Sequence, residues 1–185
     1  MRDRKNQINA DSRRGADSPN TPAYGGARRL THAALIAAIY AALTVWLAPI
    51  SFGQQQIRVA EALAVLPALT PAAVPGLFVG CLIANVVSAF GLPDVVFGSL
   101  STLASAALTR VAAKRLKDRP LALQVVLIPL PAVAINTAVV GAMLSVLTSV
   151  PFAAAALGVF TGQALSCYGI GAPLYIALRG YLRKK

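Results

Sequence analysis

One short stretch holds most of the chain's capacity for chemistry: Phe52-Gly53-Gln54-Gln55-Gln56-Ile57-Arg58-Val59-Ala60-Glu61. A row of amides, a cation and a carboxylate lies between two strongly apolar segments. Arg58 and Glu61 stand three apart, so on a helix they share a face and are expected to pair. Further along, Asn85, Asp94, Asn136 and Gln163 are strong polar groups inside or at the mouths of apolar runs. Such groups are costly to bury and mark a binding site by default. The chemistry they offer is hydrogen-bonding recognition. Glu61 and Asp94 accept, while Gln56, Asn85, Asn136 and Gln163 both donate and accept. Trp46, Phe52 and Phe97 offer rings on which a flat solute could stack.

Several chemistries are excluded. There is no G-x-x-x-x-G-K-[ST] phosphate loop and no Ser/His/Asp set, so no catalytic residues are assigned and the chain is not read as an enzyme. Cys81 and Cys167 each lie inside an apolar run without a C-x-x-C or a Cys/His cluster. They read as small packing residues, and neither a metal nor a cofactor is expected. His32, the lone histidine, reads as an interfacial residue. The buried carboxylates are too few for a proton relay across a bilayer. If this protein moves a solute, the energy comes from elsewhere.

The elements that must position these residues are membrane helices. Of the 185 residues 57% are hydrophobic and 12% charged, and the apolar ones come in long runs. A soluble domain has no use for several runs of about twenty apolar residues. The net charge of +11 does not signal nucleic acid. Its bases fall into an N-terminal cluster, a cluster from Arg110 to Arg119 and one from Arg179 to the end, as the positive-inside rule produces. We therefore expect an all-α, polytopic membrane protein with six transmembrane helices and both termini cytoplasmic. Residues 1–27 read as a disordered cytoplasmic tail, and 28–185 as one six-helix binding domain in contact with lipid.

The first span is expected from about Arg29 to Leu47. Ala33, Ala37 and Ala41 form one row of small residues on it, and Ala34, Ala38 and Ala42 a second row beside it. Either lets another helix approach closely. Residues 59–90 are too long for one span and tight for two: 32 residues of helix would measure about 48 Å against about 30 Å of hydrocarbon. Pro67, Pro71 and Pro75 break the stretch in the middle, and two spans put all basic clusters on one side. The second span is thus expected at about Gln56 to Leu69 and the third at about Ala72 to Phe90, with Gly76, Gly80 and Ala84 as a close-packing face. The fourth follows from about Val95, the fifth covers about Leu121 to Leu147, and the sixth about Phe152 to Leu178. The outer connections are then 51–57, 91–94 and 148–151. Loop 51–57 is expected to close over a ligand.

Three blocks in order resemble the QueT family. They are the stretch from Phe52 to Leu63, Pro75-Gly76-Leu77-Phe78-Val79-Gly80-Cys81-Leu82-Ile83-Ala84-Asn85, and Gly91-Leu92-Pro93-Asp94-Val95-Val96-Phe97-Gly98-Ser99-Leu100. The resemblance runs from about Leu30 to Leu182. It implies an S component, the substrate-capturing subunit of an energy-coupling factor (ECF) importer, with a queuosine precursor (a deazaguanine base) as small-molecule substrate. It also implies partners: a transmembrane coupling subunit and two ATPase subunits. In such proteins an Ala-x-x-x-Ala face on the first helix docks on the coupling subunit, and Ala33, Ala37 and Ala41 match it. Relatives carry a Gly-Glu pair where this chain reads Gly162-Gln163, which implies preference for a neutral nitrile precursor over a cationic aminomethyl one. The substrate-binding set is then Gln56, Arg58, Glu61, Asn85, Asp94, Phe97, Asn136 and Gln163. An S component for another vitamin (riboflavin, thiamine or biotin) and a stand-alone secondary transporter are the alternatives.

Overall fold

The computed structural model describes residues 21–51 and 57–184. Its described residues contain helices and turns and no strand. The chain divides into two units, 1–31 and 32–185, and the second carries every predicted site residue. The helix α1 (Thr21–Trp46) begins about eight residues ahead of expectation, because Pro22 sits in its first turn, where a missing N–H goes unused. One further turn, Ala48–Ser51, follows it.

The proline-rich stretch departs most from a regular helix. Val59–Ala68 is a 3₁₀ helix with Pro67 inside it, and α2 covers Ala73–Asn85. Three prolines at 67, 71 and 75 cannot donate, so the backbone closes shorter rings and turns, as in Leu69 N–H to Leu66 O (2.9 Å). At about 2.0 and 1.5 Å rise per residue, each of these two elements is only about 20 Å long, short of a hydrocarbon core of about 30 Å. The third span was expected to reach Phe90. It stops at Asn85, and residues 86–91 turn irregularly, with Gly91 at φ +64°.

The remaining helices are longer. A π-helical turn, Asp94–Gly98, leads into α3 (Ser99–Arg115). Next come α4 (Leu121–Leu127) and α5 (Leu130–Thr148), separated at Pro129, and α6 (Phe152–Ala164). A second π segment, Leu165–Gly171, joins α6 to α7 (Ala172–Lys184). Among the described residues, four helical stretches are long and apolar enough to cross a membrane: Gly26–Trp46, Asp94–Arg115, Leu121–Thr148 and Phe152–Leu182.

Small residues bring the helices together. A Cβ on Gly76 would lie 2.7 Å from the Ala33 carbonyl oxygen, and one on Gly80 would lie 2.8 Å from that of Ala37. α1 and α2 therefore touch backbone to backbone, and only glycine fits. Gly141 makes the same kind of approach between α5 and α6, where a Cβ would meet Ala156 Cα at 3.0 Å. At one end of the bundle the irregular connections gather: Arg58 meets Asp94, and Phe90 packs against the apolar cluster of Val140, Met143, Leu144, Ala155 and Val159. At the other end Arg110 donates to the carbonyls of Pro67 (3.2 Å) and Ala68 (3.4 Å), closing the end of the 3₁₀ helix. Tyr175 donates to Gln124 (2.7 Å) at that same end.

Candidate functional site

Arg58 precedes the 3₁₀ helix in extended conformation (φ −86°, ψ 97°). Its side chain therefore leaves the helical face, and the expected pair with Glu61 does not form. Arg58 Nη2 donates instead to Asp94 Oδ2 (2.8 Å) and Oδ1 (3.1 Å). Both groups are buried, and Ser88 Oγ adds a hydrogen bond to Asp94 Oδ2 at 2.6 Å. A fully desolvated carboxylate holds such a position only when its oxygens are met. Asp94 is expected as a turn residue. Here it lies at the start of the π turn, whose wider coil turns it inward onto Arg58.

Glu61 finds a partner from another segment. Tyr40, fully buried on α1, donates its hydroxyl to Glu61 Oε1 at 2.6 Å. The Glu61 backbone N–H donates to Arg58 O at 2.9 Å, which ties the two halves of the motif together despite the missing ion pair.

Asn85, the last residue of α2, donates from Nδ2 to the Asp94 carbonyl oxygen (2.8 Å) and toward Cys81 Sγ (3.4 Å). Its Oδ1 is buried without a partner, and an unmet buried acceptor costs about 1–3 kcal/mol. Cys81 sits at the centre: Thr102 Oγ1 donates to its sulfur at 3.3 Å, and Arg58 Nη1 lies 3.9 Å away. Gly98 closes the packing, since a Cβ there would stand 2.7 Å from both Asn85 Nδ2 and Asp94 Oδ1.

The two midspan amides join the edge of this cluster. Asn136 Oδ1 accepts from Ser101 (2.7 Å), whose hydroxyl also lies 2.9 Å from the Gly98 carbonyl oxygen. Gln163 Oε1 lies 3.7 Å from Cys167 Sγ, which itself points at the Glu61 carbonyl oxygen at 3.4 Å. Arg58, Glu61, Asn85, Asp94, Asn136 and Gln163 thus form one chain of contacts, all buried. Phe97 does not join it: it is 51% exposed on the outside of the π turn. Trp46 is exposed as well. Gln56, with Phe52, Gln54 and Gln55, lies outside the described residues, as does most of the expected lid.

The alanine rows of α1 divide clearly. Ala37 is buried and Ala33 and Ala41 are partly covered, while Ala34, Ala38 and Ala42 are exposed. The row picked for partner docking packs against Gly76 and Gly80 of this same chain.

Sequence reasoning missed Tyr40, Cys81, Ser88 and Thr102. Tyr40 was findable, because it continues the Ala33–Ala37 face at helical spacing. Cys81 stands four before Asn85 on one helix face, and that spacing carried the same information. Ser88 carried no signal, because its position depends on the irregular turn.

A cavity of about 430 Å³ opens elsewhere, between α5 and α6. Phe90, Leu144, Val150, Leu157, Thr148 and Thr161 line it, and none of the predicted residues does. Its size suits a small molecule, but two hydroxyls give little with which to orient one. The ionic and amide groups lie in the buried polar cluster instead. The two regions adjoin through the turn after α2, where Phe90 N–H donates to Ser88 Oγ at 3.2 Å.

A family model described as QueT transporter matches residues 30–180. The chain belongs to the QueT transporter family. No curated protein and no solved structure matches it. The QueT match covers the described helices from α1 into α7, and with the four long apolar stretches it makes the chain a multi-pass membrane protein with a transport role, not an enzyme. As a member of a transporter family it handles a small-molecule solute.

Proposed function

We propose that this chain is the substrate-capturing S component of an ECF-type importer in a bacterial inner membrane, and that its solute is a queuosine precursor, a deazaguanine base. The observation that carries this reading is the buried ionic and amide cluster built on Arg58, Glu61, Asn85 and Asp94 inside an otherwise apolar helical body. A guanine-like edge presents adjacent N–H donors beside a carbonyl. Glu61, with Tyr40 on one oxygen, and Asn85 Oδ1 are acceptors for the donors. Asn136, whose Oδ1 is taken by Ser101, turns its NH₂ toward the role of donor to the carbonyl.

The cluster satisfies most of its own hydrogen bonds, so a base must exchange with some of them. The residues of the irregular turn 86–91 border the cluster and are the part able to move aside. They belong to the outer side in this reading, with the ends of the chain in the cytoplasm and ATP hydrolysis carried out by two partner subunits. α1 would dock on the coupling subunit through its exposed row, Ala34, Ala38 and Ala42, since the neighbouring row is used within the chain.

Mass spectrometry of the small molecule retained by the detergent-purified protein tests the assignment. A deazaguanine base is the expected finding. Retention of riboflavin, thiamine or biotin, or of no compound even after growth with deazaguanine bases, would overturn it. Gln163 is buried beside Cys167, so preference for a nitrile over an aminomethyl base is tested by Gln163→Glu; unchanged preference removes that residue from the site.

A further inference from the structure

We infer that Asn85 is the residue that selects a ligand N–H group, through a side-chain carbonyl that the protein leaves without a donor. This deepens the base-binding reading above and rests on it. The argument starts from the orientation of the amide. Asn85 Nδ2 lies 2.8 Å from the Asp94 carbonyl oxygen and 3.4 Å from Cys81 Sγ. Turning the amide over would set Oδ1 against the Asp94 carbonyl, acceptor facing acceptor, so the orientation is fixed. Both N–H groups of Nδ2 are then committed inside the protein. Oδ1 is left over, on a side chain that is 0% exposed.

The neighbouring carboxylate and amide groups do not share this condition. Asp94 uses both carboxylate oxygens on Arg58, and one of them also on Ser88. Asn136 Oδ1 takes the Ser101 hydroxyl. Glu61 Oε1 takes the Tyr40 hydroxyl. Among the carboxylate and amide oxygens of the described residues, Asn85 Oδ1 is the one that is buried with no donor, so the fold aims an acceptor-only group from Asn85. A group in that state accepts an N–H and repels a carbonyl, which gives it discriminating power between bases of the same shape. Asn85 also ends α2, and the next residues turn irregularly through Ser88 to Phe90, the wall of the cavity. The orphan carbonyl therefore stands where the regular helix gives way to the segment that can open.

The test is a binding series on the detergent-purified full chain by titration calorimetry. The probes are the nitrile-bearing deazaguanine base, its analogue without the exocyclic amine, its analogue with oxygen in place of that amine, and one methylated on the ring lactam nitrogen. Wild type is expected to bind at least one donor-deleted analogue about tenfold more weakly than the parent base. In Asn85→Leu, which has similar bulk and no acceptor, that ratio is expected to fall to about one. A wild type that binds the parent base but treats all three analogues alike overturns the inference without any variant. So does Asn85→Leu keeping the wild-type ratio. If Asn85→Leu fails to fold, Asn85→Ala, which also lacks an acceptor, is measured in its place with the same two outcomes. Failure of wild type to bind any of the bases overturns the base-binding reading itself, and this inference with it.

Discussion

The two halves of the body are built on opposite terms. Around α5 and α6 the helices are regular, the buried residues are Val140, Met143, Leu144, Ala155 and Val159, and a cavity remains between them. Around Arg58 and Asp94 the backbone is 3₁₀ through Glu61, π at Asp94 and π again at Leu165–Gly171, and the interior is polar and filled. A regular α-helix spaces its side chains in fixed rows. Bringing groups from five segments to one point takes local rewinding, and π turns are common at functional sites for that reason. The apolar half needs only surface fit. The polar half needs each atom met by a partner, so a small displacement there has a large effect.

The largest break in this contrast is expected from Arg58→Ala. It leaves Asp94 buried and uncompensated, at a cost of about 3–5 kcal/mol, read as a large drop in melting temperature in detergent. The double variant Arg58→Met with Asp94→Leu is expected to recover much of that stability while ligand binding stays lost. Recovery of binding too would mean that the pair only holds the fold.

Glycine substitutions sharpen the comparison next. Gly98→Ala drives a Cβ to 2.7 Å from Asn85 Nδ2 and Asp94 Oδ1, and Gly141→Ala drives one to 3.0 Å from Ala156 Cα. Both are expected to lower the melting temperature, by about 1–3 kcal/mol of overpacking. Only Gly98→Ala should weaken ligand binding. Equal loss of binding in the two would dissolve the distinction between the halves.

Tyr40→Phe removes one hydrogen bond to a carboxylate, an interaction of about 1.5–3 kcal/mol. Ligand affinity should fall by about tenfold or more, as read by calorimetry, with the helical content unchanged. An unaltered affinity would take Glu61 out of ligand contact.

The α1 rows give a smaller effect on stability and a clear one on assembly. Ala38→Trp is expected to keep ligand binding and lose co-purification with a coupling subunit, whereas Ala37→Trp should fail to fold against Gly80. Capture of the coupling subunit by Ala38→Trp would remove the exposed row from docking. Smallest of all is Phe97→Ala, expected to change stability by no more than about 0.5 kcal/mol and binding not at all. A measurable loss of binding would restore Phe97 to the site.

Much of this was legible in the residues before any coordinates. Long apolar runs and clustered bases determined a helical membrane protein, because hydrocarbon leaves the backbone few other ways to meet its own hydrogen bonds. Pro67, Pro71 and Pro75 determined that the second stretch breaks, since proline lacks the donor a helix needs. The rarity of polar groups determined that Arg58, Glu61, Asn85, Asp94, Asn136 and Gln163 belong to one question, because each is too costly to leave in oil unmet.

Only the tertiary structure decided who meets whom. Arg58 and Asp94 are thirty-six apart in the chain, and Tyr40 and Glu61 twenty-one apart. No periodicity links such pairs, so local spacing favoured Arg58 with Glu61, wrongly. The two alanine rows of α1 are equivalent in sequence, and the glycines of α2 chose between them by close packing. Phe97 is aromatic and next to the site in sequence, yet the π turn carries it outward. Residue type fixes what a group must find, and the path of the backbone fixes what is within its reach.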